Sequence, residues 1–374
     1  MTSKERMMRA LAREKPDRLP VTIHQWQQYH LNTYLGGVDA LDAFKICGLD
    51  ASIQYFEAMG QFWIPDAEKH VVQSSQWRED IEVVRDDPND KILHHTIITP
   101  GGKLTYKTAG NLTTTWITEY LIKKHEDLEL IEKYMPVPKL DKRAIATEYD
   151  RVGDAGILRG FVWGDQAGCW QHACCMMNVQ ELILQTADHP DWVHRLLRTL
   201  LERKLHFIEE SLAGARFDLI ETGGGASSDT VISPALFREF CLPYDRQIHD
   251  ALHAVRHRST YHTCGGMMRI LDLITENGTD ASETLAPRGV GGNITDPQKV
   301  REIFGGKIAM IGGMDQFNIL TCGSKRDIQA EVRRLFEGFG KNGGYICSAS
   351  DHFFETPVEN LRIFAEAAKE CIYE

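Results

Sequence analysis

From residue 156 onward, short β-branched and apolar runs alternate with longer stretches whose apolar residues recur at helical spacing. The runs Ile157–Trp163, Phe217–Thr222, Ser259–His262, Ala281–Leu285, Ile308–Ile311 and Tyr345–Cys347 predict strands. Pro190–Leu212 carries a helical pattern. Further helix starts are marked by Ser233-Pro234, Asp296-Pro297 and Thr356-Pro357-Val358-Glu359, which combine N-cap residues, prolines at the first helical position and a capping box. At the start of the chain, Thr2-x-x-Glu5 ahead of Met7, Met8, Leu11 and Ala12 predicts a helix that Pro16-Asp17-Arg18 ends. Leu19–His24 and Gly48–Phe56 add two strands. Between Trp77 and Thr108 the texture differs, with alternating runs such as Glu82-Val83-Val84 and Leu104-Thr105-Tyr106 broken by turn clusters. This predicts a β-hairpin insertion at about 77–108 and not a separate domain. Eight strands alternating with helices favour an α/β fold, a closed (β/α)8 TIM barrel spanning 1–374, over an open doubly wound sheet.

Composition narrows the function. The 374 residues carry a formal net charge of −11 and no basic stripe, which argues against nucleic acid and against a substrate with many negative charges. No apolar run is long enough to span a bilayer, so no membrane is expected. The N-terminus lacks a signal-peptide pattern, and nine cysteines, an odd number, fit no disulfide framework; a cytoplasmic location follows as the expectation. No Gly-x-Gly-x-x-Gly follows the first strand, and Thr222-Gly223-Gly224-Gly225 reads as a tight turn that brings Glu221 to the barrel mouth.

Parallel barrels carry their chemistry at the carboxyl ends of the strands. The polar residues there are His24, Asp165 with Gln166, Glu221, His262 with Cys264, Glu283, Asp315, and Cys347 with Ser348 to His352. Residues i and i+2 of a strand share a face, so His262 and Cys264 would project side by side, an imidazole and a thiolate that make half a zinc site. A second strand end, Gly343-Gly344-Tyr345-Ile346-Cys347-Ser348, offers a third soft ligand. Trp26 and Tyr29, in the run after the first strand, either line a pocket or begin an ordinary helix. The other cysteines have no CxxC spacing and read as core or incidental surface residues.

Five segments together carry a family resemblance: Ser3-Lys4-Glu5-Arg6 through Leu19-Pro20, Ile232-Ser233-Pro234 to Pro243-Tyr244, His262-Thr263-Cys264-Gly265, Gly312-Gly313-Met314-Asp315, and Gly343-Gly344-Tyr345 to Glu359-Asn360. Over nearly its whole length the chain resembles the uroporphyrinogen decarboxylase superfamily, which implies a single (β/α)8 barrel. The metal-free decarboxylase branch holds its substrate carboxylates with an Arg-Gln-Ala-Gly-Arg-Tyr motif. The matching stretch here, His24-Gln25-Trp26-Gln27-Gln28-Tyr29, has no arginine. The other branch comprises zinc methyltransferases that exchange methyl groups with a corrinoid protein, and its His-x-Cys motif is matched by His262 and Cys264.

The resemblance implies a zinc-dependent methyltransferase acting between a corrinoid carried by a partner protein and a small thiol or a methoxy or methylthio compound. Glu221, His262 and Cys264 are the expected catalytic groups, and His262, Cys264 and Cys347 the expected zinc ligands. Cys347 sits a few positions earlier than the family cysteine, so Asp351 and His352 compete for the third place, with Glu221 and Glu283 as oxygen donors. His24, Trp26, Tyr29, Asp165, Glu283, Asp315 and His352 are expected to line the substrate pocket. A homodimer is compatible with this reading. The alternatives are a metal-free uroporphyrinogen decarboxylase and a non-catalytic binding protein for a corrinoid or its carrier.

Overall fold

The computed structural model describes residues 1–55, 74–164 and 168–374. Strands β1 (Val21–Thr22) and β2 (Ala51–Gln54) precede an inserted set, β3 (Arg78–Arg85), β4 (Lys91–Thr99), β5 (Gly102–Gly110) and β6 (Thr115–Glu119). After them come β7 (Gly156–Phe161), β8 (Leu219–Gly223), β9 (Ser259–His262), β10 (Ala281–Thr284), β11 (Ala309–Met314) and β12 (Tyr345–Ala349). The eight outer members of this series form one parallel sheet in the order β1-β12-β11-β10-β9-β8-β7-β2, with helices between successive strands. No ladder joins β1 to β2, but Asp50 bridges that seam: its amide donates to the Val21 carbonyl at 2.8 Å and its carboxylate accepts from the Val21 amide at 3.0 Å. The result is a nearly closed (β/α)8 barrel, as the alternation of the sequence predicts.

Alternation along the strands divides the side chains between two cores. Ile157, Leu219, Ala281, Ala309, Ile311 and Ile346 face the barrel interior, where Met7, Ala10 and Leu11 of the N-terminal helix (Ser3–Leu11) plug the amino-terminal end. That helix begins as its capping box predicts, with Thr2 Oγ1 accepting from the Glu5 amide and Glu5 accepting from the Thr2 amide. Arg6 fixes it, pairing with Asp17 at 2.7 Å and with the buried Asp50 at 2.8 Å. The residues of opposite parity, among them Val21, Ile220, Tyr261 and Cys347, belong to the layer between sheet and helices.

The insertion is larger than a hairpin. Four antiparallel strands, in the order β3-β4-β5-β6, run from Arg78 to Glu119. The last of them, Thr115-Trp116-Ile117-Thr118-Glu119, has the β-branched alternation of a strand and lies beyond Thr108, where the expected hairpin stops. Ile97, Leu104 and Tyr106 tie this sheet to the main core.

Candidate active site

The same parity that buries the apolar interior places ionisable groups above it. On β7, β8 and β10 the next inward position after Ile157, Leu219 and Ala281 is occupied by Arg159, Glu221 and Glu283. On β9, Tyr261 faces outward and His262 inward. Glu283 is paired in register with His262 on the neighbouring strand, so their side chains emerge side by side. Nδ1 of His262 lies 3.1 Å from Glu283 Oε1 and 3.4 Å from Glu221 Oε1. A single guanidinium nitrogen of Arg159, Nη2, donates to Glu221 Oε2 at 2.7 Å and to Glu283 Oε1 at 2.6 Å. All four side chains are buried.

Two more imidazoles extend the cluster toward the mouth. The His24 ring lies 4.9 Å from that of His262 and 5.3 Å from that of His352. His24, His262 and Glu283 each offer one ligand atom within 4.8 Å of the others, and they form the metal-competent group of three among the described residues. Glu283 Oε2 is buried without a hydrogen-bond partner. A lone pair so placed is costly unless something occupies it.

Burial lowers the pKa of His24 well below its ordinary value; Glu283 opposes this, but His262 and His352 add to it. Burial also acts against charge on His262, yet the nearby Cys264 and Glu221 charges outweigh it and push its pKa well up. For Glu283 burial favours the neutral acid, while Arg159 and the hydrogen bond to His262 hold the carboxyl far below the usual range.

Cys264 follows β9 in a loop and not within the strand, since Gly265 turns back to donate to the Thr263 carbonyl at 2.8 Å. Its thiol still reaches the His262 side chain in a hydrogen bond. The sulfur lies against Gly225, where an added Cβ would sit 2.6 Å from Sγ. Gly225, in the turn after Glu221, is therefore the residue that leaves room for this thiol.

The structure does not bring Cys347 to this site. Ile346 faces the interior, so its neighbour Cys347 faces the helices, bonded to the Tyr345 side chain, and burial pushes its thiol well up. Asp315 is also placed otherwise than expected: its carboxylate caps the turn that follows, accepting from the amides of Phe317 at 3.1 Å and Asn318 at 2.7 Å. Trp26 packs edge-on against Phe44 and Phe353, in the core and not in a pocket. Tyr29 and His352 line a cavity at the barrel mouth, and His352 Nε2 lies 3.0 Å from Gln25 Oε1. Asp165 and Gln166 lie outside the described residues. Arg159 is the site residue that the reading of the sequence passed over, and its signal was a lone charge in the strand Ile157–Phe161, two residues beyond an inward isoleucine.

Fold and site together define a parallel-barrel protein of the enzyme type, with its ionisable groups gathered at the carboxyl rim of the sheet. The chain belongs to the uroporphyrinogen decarboxylase (URO-D) family, whose sequence profile matches residues 103–371. Among curated relatives, the methylated-thiol–coenzyme M methyltransferase of Methanosarcina mazei is 23% identical over 145 residues, 39% of this chain and 36% of that protein. The uroporphyrinogen decarboxylase of Danio rerio is 30% identical over 186 residues, 48% of this chain and 47% of the relative. That of Gloeobacter violaceus is 24% identical over 263 residues, covering 66% and 70%. A solved methyltransferase structure from Methanosarcina mazei shares the fold, with a TM-score of 0.66, 18% identity and 99% of both chains covered. No helix among the described residues is long and apolar enough to cross a membrane.

Proposed function

We propose that this protein is a metal-dependent methyltransferase that exchanges a methyl group between a small molecule and a corrinoid carried on a separate protein. The observation that carries the proposal is the buried group of His24, His262 and Glu283, with the Cys264 thiol on His262 and the second Glu283 oxygen unpartnered. Two imidazoles, a carboxylate and an adjacent thiol suit a borderline-soft divalent cation such as Zn²⁺. His24, His262 and Glu283 would hold it, and the Cys264 thiol contacts one of these, His262. Once bound, such an ion supplies Lewis acidity toward a thiol or a methylated heteroatom.

The chain's own residues prepare the site. Arg159 offsets the two carboxylates and fixes the orientation of both. Glu283 Oε1 in turn fixes the His262 ring through Nδ1. The burial that lowers the His24 pKa favours the neutral ring, whose lone pair a ligand needs. The M. mazei relative, named for transfer from a methylated thiol, supports methyl transfer as the reaction class.

Decarboxylation of a tetrapyrrole is the weaker reading. Such a substrate brings many carboxylates, and the buried arginine of this rim is already committed to Glu221 and Glu283. The test begins with metal analysis of protein purified without chelator, then mixes it with methylated corrinoid proteins and thiols, and with reduced corrinoid proteins and methoxy or methylthio compounds. Methyl transfer changes the visible spectrum of the corrinoid, and the change should disappear in His262→Ala. If no pairing responds while uroporphyrinogen loses carboxyl groups, the proposal fails.

A further inference from the structure

A cavity of about 570 Å³ opens between the inserted sheet and the loops after β11 and β12, and His352 forms part of its wall next to the metal-competent cluster. The turns β3–β4 and β5–β6 contribute Asn89 and Leu112, while Phe317, Phe354 and Glu355 come from the barrel side. Leu112 is 58% exposed and Phe317 60% exposed, two large apolar side chains held at the mouth without cover. The Leu112 turn is held locally: Asn111 Oδ1 accepts from the amides of Thr113 and Thr114, both at 2.9 Å. Among the described residues that line the cavity there is no lysine or arginine, and Glu355 is the one carboxylate among them.

Resting on the methyl-transfer reading, we infer that this cavity selects the small-molecule partner, a methylated compound with a flat apolar body and no negative charge, and that the inserted sheet supplies the selecting wall. Aromatic and aliphatic walls favour such a body through area and ring contacts. Along the described walls an anionic group would meet no lysine or arginine, and Glu355 would oppose it. A neutral or cationic group meets no such opposition.

The test is a binding series on one molecular body, with methoxybenzene, 4-methoxybenzylamine and 4-methoxybenzoate titrated calorimetrically into the intact protein at physiological salt. The neutral and ammonium compounds should bind at least about tenfold more tightly than the carboxylate, a difference that one unfavourable charge contact readily gives. Leu112→Ala and Phe317→Ala should each weaken methoxybenzene about fivefold or more, and Glu355→Lys should reverse the preference between ammonium and carboxylate. Both apolar positions are exposed, so these variants should keep the wild-type melting temperature. Equal or tighter binding of the carboxylate, no detectable binding of any of the three, or indifference to both alanine substitutions overturns the inference. Because no corrinoid is present, the expected order without any corrinoid spectral change would count against methyl transfer alone.

Discussion

His262 and Glu283 stand opposite each other on adjacent parallel strands, and the carboxylate oxygen that meets the His262 ring at 3.1 Å is the same one that Arg159 holds at 2.6 Å. One oxygen thus carries both contacts and the other is left free, which in the proposed metal site would divide the roles of a single side chain between orientation and ligation. Glu283→Gln tests this division. The amide keeps the volume but loses the charge, so Arg159 and His262 lose a charged partner and the proposed cation would lose a charged ligand. Zinc affinity should fall by more than the ~10–100-fold that loss of an orienting partner alone costs, as read by competition with a chromophoric chelator. Unchanged affinity would remove Glu283 from the ligand set.

Arg159 makes a separate prediction about stability. It is buried between two carboxylates, and removal of one partner from a buried ion pair leaves uncompensated charge. Arg159→Gln should therefore destabilise the fold by about 3–5 kcal/mol in urea denaturation. Because the three groups act as a unit, adding Glu221→Gln to that variant should cost less than it does alone. Additive losses would show that the guanidinium is not the keystone of this cluster.

The barrel itself was legible in the sequence because parallel strands buried on both faces read as short β-branched runs, and helix caps mark the stretches between them. The expectation that His262 and Glu283 occupy the rim agrees with their placement, since both lie near the carboxyl ends of their strands, paired in register. Cys347 shows what such a reading leaves open. A strand end fixes height in the barrel but not face, and only Ile346 in the interior core reveals that its neighbour looks outward. Trp26 and Asp315 were ambiguous for a different reason: an aromatic ring near a strand end packs in a core as readily as in a pocket, and an aspartate after a strand is also a favoured helix cap. Arg159 was hidden by its surroundings. One cation within an apolar strand has no meaning until the partners on neighbouring strands are known.

The outward face of Cys347 yields a contrast between two cysteines. Cys347→Ser should leave zinc content unchanged and lower stability by about 1 kcal/mol or more, because a hydroxyl replaces a thiol in the layer beneath the helices. Cys264→Ser should do the reverse, lowering metal affinity with little effect on the melting temperature. Equal zinc loss in both variants would mean that β12 turns its cysteine inward in the metal-loaded protein.

The anchor of the N-terminal helix should give the protein an acid-sensitive component of stability. Burial alone would raise the Asp17 carboxyl, but its hydrogen bond and charge interaction with Arg6 dominate and lower it from 3.8 to about 2. A carboxylate whose pKa is depressed by folding contributes stability that is complete above its unfolded value and is lost as pH falls through its folded one. The window therefore runs from about pH 4 down to about pH 2. Asp17 is partly exposed, so salt screens the pair and the contribution should shrink at high ionic strength. Urea melts at pH 5 and pH 3 should show a smaller loss for Asp17→Asn than for wild type. Arg6→Met should flatten the same interval by removing the group that depresses the carboxyl, at a larger cost overall because the buried Asp50 also loses its partner. An identical slope in all three proteins would mean that the helix plug is held by Met7, Ala10 and Leu11 alone.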